Sequence, residues 1–272
     1  MTTTRSAADS AAHGIGVSLR TFLAVLWRDV FVTGRELGPF LAQVVIQPFF
    51  MLFIFGKVLT GIGYVDDSFV QILLPGIVAL NGFVVALQNT TMPLVMDFSW
   101  TREIEDRLLA PMPIPLVAIE KMLFGAIRGT VAALLMIPVG FLMLEGIHWP
   151  ASAWPGIVGM IVLGSLAGAA IGMTIGTLIY PRRINIMFAV ILIPLMFTGS
   201  TQFPWHALEH LRWFQVVCAI NPLTYVSEGM RDLLIGDEVK SIPLWLDIPI
   251  ILVALAIFGA IGIKGFMRRA LD

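Results

Sequence analysis

The constraint that decides what this chain can fold into is a succession of long apolar runs. They lie at Pro39–Leu59, Val70–Leu87, Leu116–Leu144, Ala153–Tyr180, Ile184–Thr201 and Leu246–Phe266. Each is near or above the ~20 residues that a bilayer crossing needs. A soluble core has no use for so much apolar surface: 58% of the residues are hydrophobic and the mean hydropathy is +0.90. The expected class is an all-α polytopic membrane protein with six transmembrane helices.

The remaining segments divide into three expected domains. Residues 1–16 are small and polar and are expected to be a disordered tail without a cleavable signal pattern. Residues 17–38 carry Leu19, Phe22, Leu23, Leu26, Val30 and Phe31 at helical spacing, with Arg20, Arg28, Asp29 and Arg35 between them. That pattern predicts an amphipathic helix lying at a membrane surface. Residues 39–272 form the six-helix domain. Lys and Arg crowd the segments that share a side with the N-terminus, and the loops at 61–69 and 145–155 have none. The asymmetry predicts cytoplasmic N- and C-termini. Gln202–Trp245 is apolar and helical in spacing but broken at Asn221-Pro222, so a pair of short re-entrant helices in the outer leaflet is expected there.

Between the second and third runs lies DFSWTREIEDRLLAPMP, Asp97–Pro113, with Arg102, Glu103, Glu105, Asp106 and Arg107 inside it. As a helix, Trp100, Ile104 and Leu108 fall at i, i+4, i+8 and make an apolar stripe. Glu103–Arg107 and Arg102–Asp106 pair on the other side, Asp97 or Ser99 can cap the start, and Pro111 and Pro113 end it. Such a helix is either a solvated loop or a docking knob for a soluble partner on the cytoplasmic side.

Further candidates are uncharged. Gly164, Gly168, Gly172 and Gly176 repeat every fourth residue and predict a face that another helix backbone can approach, for static packing or for sliding. Gln43 and Gln47 share a face of the first run, and Asn81 and Gln88 one of the second. Amides in such places either bond neighbouring helices or line a polar pathway. Arg128, near the expected cytoplasmic end of its span, can snorkel, with Glu120 as a partner. His206-Ala-Leu-Glu209-His210 matches H-x-x-E-H, a zinc-protease pattern with a high chance rate. Two histidines and a carboxylate at a membrane interface explain it as well. The single cysteine, Cys218, excludes an intrachain disulfide framework. No G-x-x-x-x-G-K-[ST] occurs, so any ATP is held by another chain.

The charged E-x-E-D-R-L-L-A-P-M-P segment, Phe197-Thr-Gly-Ser with Phe203-Pro204, and Asn221-Pro222-Leu223-Thr224-Tyr225 followed by Glu228 and Arg231 together resemble the ABC type-2 permease family. The likeness is to its daunorubicin-resistance-type exporters and extends over nearly everything after Val17; the order Thr198-Gly199-Ser200 departs from the commoner Ser-Gly. The resemblance implies a permease subunit, paired with a second and identical one, in the inner membrane. It also implies two separate ATPase subunits that hold ATP and Mg and engage the segment around Trp100–Leu108 as a coupling helix. The implied cargo is a lipophilic drug or lipid-like molecule, as in multidrug efflux and antibiotic resistance. Export of a lipid-linked polysaccharide is the alternative, and an energy-independent channel or membrane enzyme a more distant one.

Overall fold

The computed structural model describes residues 3–35, 37–98, 112–144, 146–147, 149–180, 183–236 and 239–271. Among them every regular element is helical. The helices are α1 (Thr3–Arg35), α2 (Leu37–Leu52), α3 (Asp67–Met96), α4 (Ile114–Met143), α5 (Trp154–Leu178), α6 (Ile184–Thr198), α7 (Arg212–Ile220), α8 (Pro222–Ile235) and α9 (Leu244–Leu271). A π-helical stretch, Phe53–Val58, carries α2 on to Gly61. Five helices are long and apolar enough to cross a membrane: Gly38–Gly61, Ser68–Met96, Ile114–Met143, Ala151–Leu178 and Leu244–Leu271.

Three expected boundaries shift. The chain is already helical at Thr3, so residues 3–16 continue into the helix expected from Val17. The fifth expected crossing is α6, only 15 residues. At ~1.5 Å per residue that falls short of a ~30 Å hydrocarbon core. It stops at Gly199-Ser200, where Ser200 adopts a φ of 48°. Conversely, α3 runs nine residues beyond the expected Leu87, from Gln88 to Met96. The polar residues after Gln88 do not end the helix, because three of them bond back to its own carbonyls. Asn89 donates to Val85 O at 2.8 Å, Thr90 to Ala86 O at 2.8 Å and Thr91 to Leu87 O at 2.8 Å.

Helix α3 is the central column. Of its most apolar stretch 89% is buried, against 22% for the spans of α2 and of α9, which form the rim. It packs most extensively on α5 and α4. In lipid, apolar side chains gain little by leaving the hydrocarbon, so helices associate where small residues let backbones meet. A Cβ on Gly168 would overlap the carbonyl of Phe83, and one on Gly172 would lie 2.5 Å from the carbonyl of Leu87. Gly164 meets Val226 of α8, and Gly176 meets Leu94. On the other side of α3, Gly129 faces Gly82 and Ala86. Polar bonds hold these seams in register: Thr91 also donates to Gly172 O at 3.0 Å, and Asn81 Nδ2 to Ala132 O of α4 at 3.0 Å. Around the seams, Leu73, Leu74, Ile77, Phe83, Met136, Ile157 and Ile161 are fully buried or nearly so. Helix α1 packs beside α4, with Phe22 and Val25 against the core and Leu19, Leu23, Trp27 and Phe31 exposed at every fourth position.

Gly168→Leu is expected to prevent folding, because its side chain must displace α3 backbone, at a cost of at least about 3 kcal/mol. Gly159→Leu, on the same helix with nothing within 4 Å of a built Cβ, is the matched control. Size-exclusion profiles in mild detergent should separate the two. Equal monodisperse yields would mean the seam is not a close backbone contact.

Candidate functional site

Two arrangements bring sequence-predicted residues together, and a third borders a segment outside the described residues. The first is a cleft between α2, α3 and α6. Gln43 and Gln47 of α2 and Asn81 and Gln88 of α3 line its narrow part, with Met51 and Met196. It widens past Gln43, Gln88, Asn89, Met92, Met96, Phe188 and Leu192 into a space of about 470 Å³. The four amides read from the sequence therefore share one place. Asn81 is 6% exposed and its amide is spent on the Ala132 carbonyl, so it fastens α3 to α4. Gln43 and Gln47 are exposed and Gln88 is half-buried. Among the described residues no side-chain hydrogen bond is made by these three. Amides at membrane depth without a protein partner demand a polar one from elsewhere. The cleft's lining holds no charged side chain.

The second arrangement is built on the Asn221–Arg231 stretch. Asn221 caps α8, its Oδ1 accepting from Leu223 N at 3.0 Å, and Pro222 takes the first helical position, where a missing N–H is harmless. The Asn221 amide donates to Leu195 O at 2.7 Å and to Thr198 Oγ1 at 2.9 Å, and Thr224 Oγ1 donates to Thr198 O at 3.0 Å. The last turn of α6 is thus pinned to the first turn of α8. Tyr225 donates its hydroxyl to Ala219 O at 2.6 Å and ties α8 to α7. Cys218, in the last turn of α7, is fully buried, and burial pushes its thiol above the ordinary range.

One turn further, Glu228 and Arg231 form a pair at 2.7 Å with both side chains 0% exposed. Arg231 also donates to Thr201 O at 2.9 Å and to Ile72 O at 3.2 Å. Glu228 accepts from Trp205 N at 3.1 Å and Ile242 N at 3.3 Å. Desolvating two charges is costly, and it is tolerated where each remaining donor and acceptor is occupied. Asp232 extends the network, accepting from Ser241 Oγ at 3.1 Å and Leu244 N at 3.3 Å. This node joins α3, the end of α6, the turn at Trp205, α8 and the start of α9. Sequence reasoning missed Thr201, Ile72 and Asp232. The first two act through backbone carbonyls, which leave no residue-type signal; Asp232 could have been found as a carboxylate next to Arg231.

The charged segment with Trp100, Arg102, Glu103, Ile104, Glu105, Asp106, Arg107 and Leu108 lies outside the described residues. The bundle where it departs is closely knit. Asp97, read as a possible cap, forms an ion pair with Lys121 of α4 at 2.6 Å, both largely buried. Phe98 meets Phe266 of α9 with ring centroids 5.4 Å apart, and the Arg269 guanidinium lies 4.8 Å from the Phe98 centroid. Arg269 donates to Gly176 O at 3.1 Å and Ile179 O at 3.3 Å, satisfying the last turn of α5. Arg128 stacks over Phe40 at 4.7 Å. In the H-x-x-E-H match, His206 Nδ1 lies 3.7 Å from Glu209 Oε1, and among the described residues no three His, Cys, Asp or Glu converge on a metal position.

Arg231→Met is expected to cost about 3–5 kcal/mol, because it strands a buried carboxylate. Glu228→Gln combined with Arg231→Met should be less destabilised than Arg231→Met alone, since no net charge remains. Thermal unfolding in detergent of Glu228→Gln, Arg231→Met and the double variant measures the coupling. A double variant as weak as the sum of the singles would show that the two residues do not act as a pair.

The chain as a whole is similar to known proteins. The family model described as ABC-2 type transporter matches residues 20–235. The chain is 27% identical over 221 residues to "Putative transport permease ycf38" of Cyanophora paradoxa, covering 77% of this chain and 72% of that one. The protein of the same name from Porphyra purpurea is 25% identical over 199 residues, covering 69% and 65%. No solved structure matches. With most of its length inside the family model, its apolar helices in place and transport permeases among its relatives, the chain belongs to the ABC-2 type transporter family and is a multi-pass membrane permease.

Proposed function

We propose that this permease is the membrane subunit of an ATP-driven exporter of lipophilic or lipid-like molecules, powered by ATPase subunits on separate chains. The amide-lined cleft between α2, α3 and α6 is the observation that carries the reading. Its walls are methionine, leucine, phenylalanine and proline with three unpartnered glutamines, a surface that suits an amphiphile with few hydrogen-bonding groups. An inorganic ion finds no counter-charge there. The family match supports the link to ATPases in general.

In this reading the N- and C-termini are cytoplasmic and the Trp100–Leu108 segment docks in an ATPase. The Asp97–Lys121 pair and the Phe98–Phe266–Arg269 stack tie its point of departure to α4, α5 and α9, so a push on the segment is delivered to the bundle rather than absorbed by a loop. A second copy of the chain completes the pathway opposite the exposed Gln43 and Gln47. The substrate moves from the inner leaflet or cytoplasm to the outside, with ATP and Mg held on the partner. Export of a lipid-linked polysaccharide is less well supported. The cleft is lined by one aromatic ring, Phe188, and by no tryptophan; Trp149 contacts Phe141 and Trp154 instead.

Co-purification from native membranes is the first test. A P-loop ATPase should accompany the wild-type chain and be lost when Glu103→Ala and Arg107→Ala are combined, while membrane insertion is unchanged. A chain that arrives alone in several mild detergents counts against the whole reading. Gln43→Leu with Gln88→Leu should retain the ATPase but lower efflux of a lipophilic dye by roughly tenfold, the effect of about 1.4 kcal/mol in the transport step. Undiminished efflux would move the pathway elsewhere.

A further inference from the structure

Asp247, in the first turn of α9, takes no part in the network its neighbours make. It is 0% exposed, and neither carboxyl oxygen has a hydrogen-bond partner among the described residues. An acidic side chain in a first turn ordinarily finds a backbone N–H at the helix start. Here Leu244 N goes to Asp232, Leu246 N and Asp247 N both go to Pro243 O, and Pro243 has no N–H to offer. Asp247 Oδ2 lies instead against the backbone of α8, 3.2 Å from where a Cβ on Gly229 would stand, with Met160 of α5 crowding the same point. Gly229 follows Glu228 and precedes Asp232 by one turn, so these two carboxylates are the charges that act on Asp247.

Three carboxyl groups and one guanidinium thus share the junction of α8 and α9, and the cation is committed. Arg231 directs its three nitrogens to Glu228, Thr201 O and Ile72 O. Asp232 is half-buried and accepts from Ser241 Oγ and Leu244 N, which suits a carboxylate. The other elements packed here bring no charge to Asp247. Helix α5 has no ionisable residue, Tyr225 of α8 gives its hydroxyl to Ala219 O, and Lys240 is exposed and lies 3.5 Å from Glu209. A carboxylate at Asp247 would be desolvated, without a hydrogen bond and beside two like charges. A carboxyl group so placed takes up a proton.

We propose that Asp247 is a proton-binding site, its carboxyl group protonated at neutral pH, and that this proton lets α9 start directly against α8. Loss of the proton adds a third negative charge beside Glu228 and Asp232 and drives the first turn of α9 away from Gly229. The junction is then a latch that a proton closes. Nothing in this rests on the exporter reading, since neither an ATPase nor a cargo takes part.

Infrared spectroscopy of the full chain in detergent reads the proton directly. At neutral pH the wild type should show the carbonyl stretch of a protonated carboxylic acid. Asp247→Asn, and independently Asp247→Ala, should each lose one such band, and Asp232→Asn should keep it. Thermal unfolding across pH is the second readout. The unfolded chain releases this proton above about pH 4, whereas the folded chain retains it. Each further pH unit should therefore lower the stability of the wild type relative to Asp247→Asn by about tenfold in the unfolding equilibrium, until the folded chain releases the proton as well. Acid bands unchanged in both Asp247 variants, or a wild type whose stability runs parallel to that of Asp247→Asn at every pH, overturn the proposal and assign Asp247 to a carboxylate neutralised by water or a bound cation. So does failure of both variants to fold at neutral pH where Asp232→Asn folds, because a site built around a neutral acid accepts a neutral replacement.

Discussion

Backbone meets backbone along α3, and the rest of the molecule is arranged around that contact. The carbonyls of Phe83 and Leu87 lie where the side chains of residues 168 and 172 would be, so α5 can take this position only because those residues are glycine. Close approach brings the Thr91 hydroxyl within 3.0 Å of the Gly172 carbonyl, and the same helix reaches α4 through Asn81. In a solvent without water such contacts replace the hydrophobic effect as the source of helix association. They also explain why α3 tolerates polar residues along its length: the polar groups are the fasteners.

A second node organises the end of the bundle that α8 occupies. The Glu228–Arg231 pair has no solvent exposure and collects backbone groups from elements distant in sequence. Ionic pairs of this kind add little net stability compared with apolar packing, but they penalise every arrangement that leaves a charge alone. Its consequence here is geometric. It fixes α8, and through Asn221 and Thr224 it fixes the last turn of α6. The start of α6 has no comparable tether among the described residues. Along the rest of its length the described residues of α6 are held by apolar packing alone, Leu192 buried and Phe188, Ile191 and Leu195 against the core.

Much of this was legible in the sequence because membranes impose a coarse grammar. Run length located the five long helices, and periodicity placed Gly164–Gly176 on one face and the four amides on two. The limits have physical causes. Asn89, Thr90 and Thr91 read as a helix end because hydroxyl and amide side chains compete with helix backbone; here each returns its bond to its own helix. The shortness of α6 turns on Gly199-Ser200, where one residue in the left-handed region ends an otherwise unbroken apolar run. The Lys121–Asp97 pair leaves no signal in the spacing, since the two residues are 24 apart and belong to different helices. Spacing on one helix finds neighbours on that helix; a pairing across helices needs the fold. The cleft shows the same limit: period alone separates Gln43 and Gln47 from Gln88, and only the packing of α2 on α3 joins them.

In the proposed reading of the cleft as a pathway, the absence of charge in its lining suits a wall that has to move. A charged side chain at that depth would need a fixed counter-charge, and the resulting pair would bind the wall shut much as Glu228 and Arg231 bind α8. Glutamine avoids this. Its unmet hydrogen bonds cost a few kcal/mol at most, compared with several per ion for a charge. On that proposal, a wall of apolar side chains and uncharged amides would separate and close without passing through a state that strands an ion. Strong ionic pairing at the α8 node and neutral amides in the cleft are two answers to one constraint: in hydrocarbon, a polar group must either be permanently satisfied or cheap to leave unsatisfied.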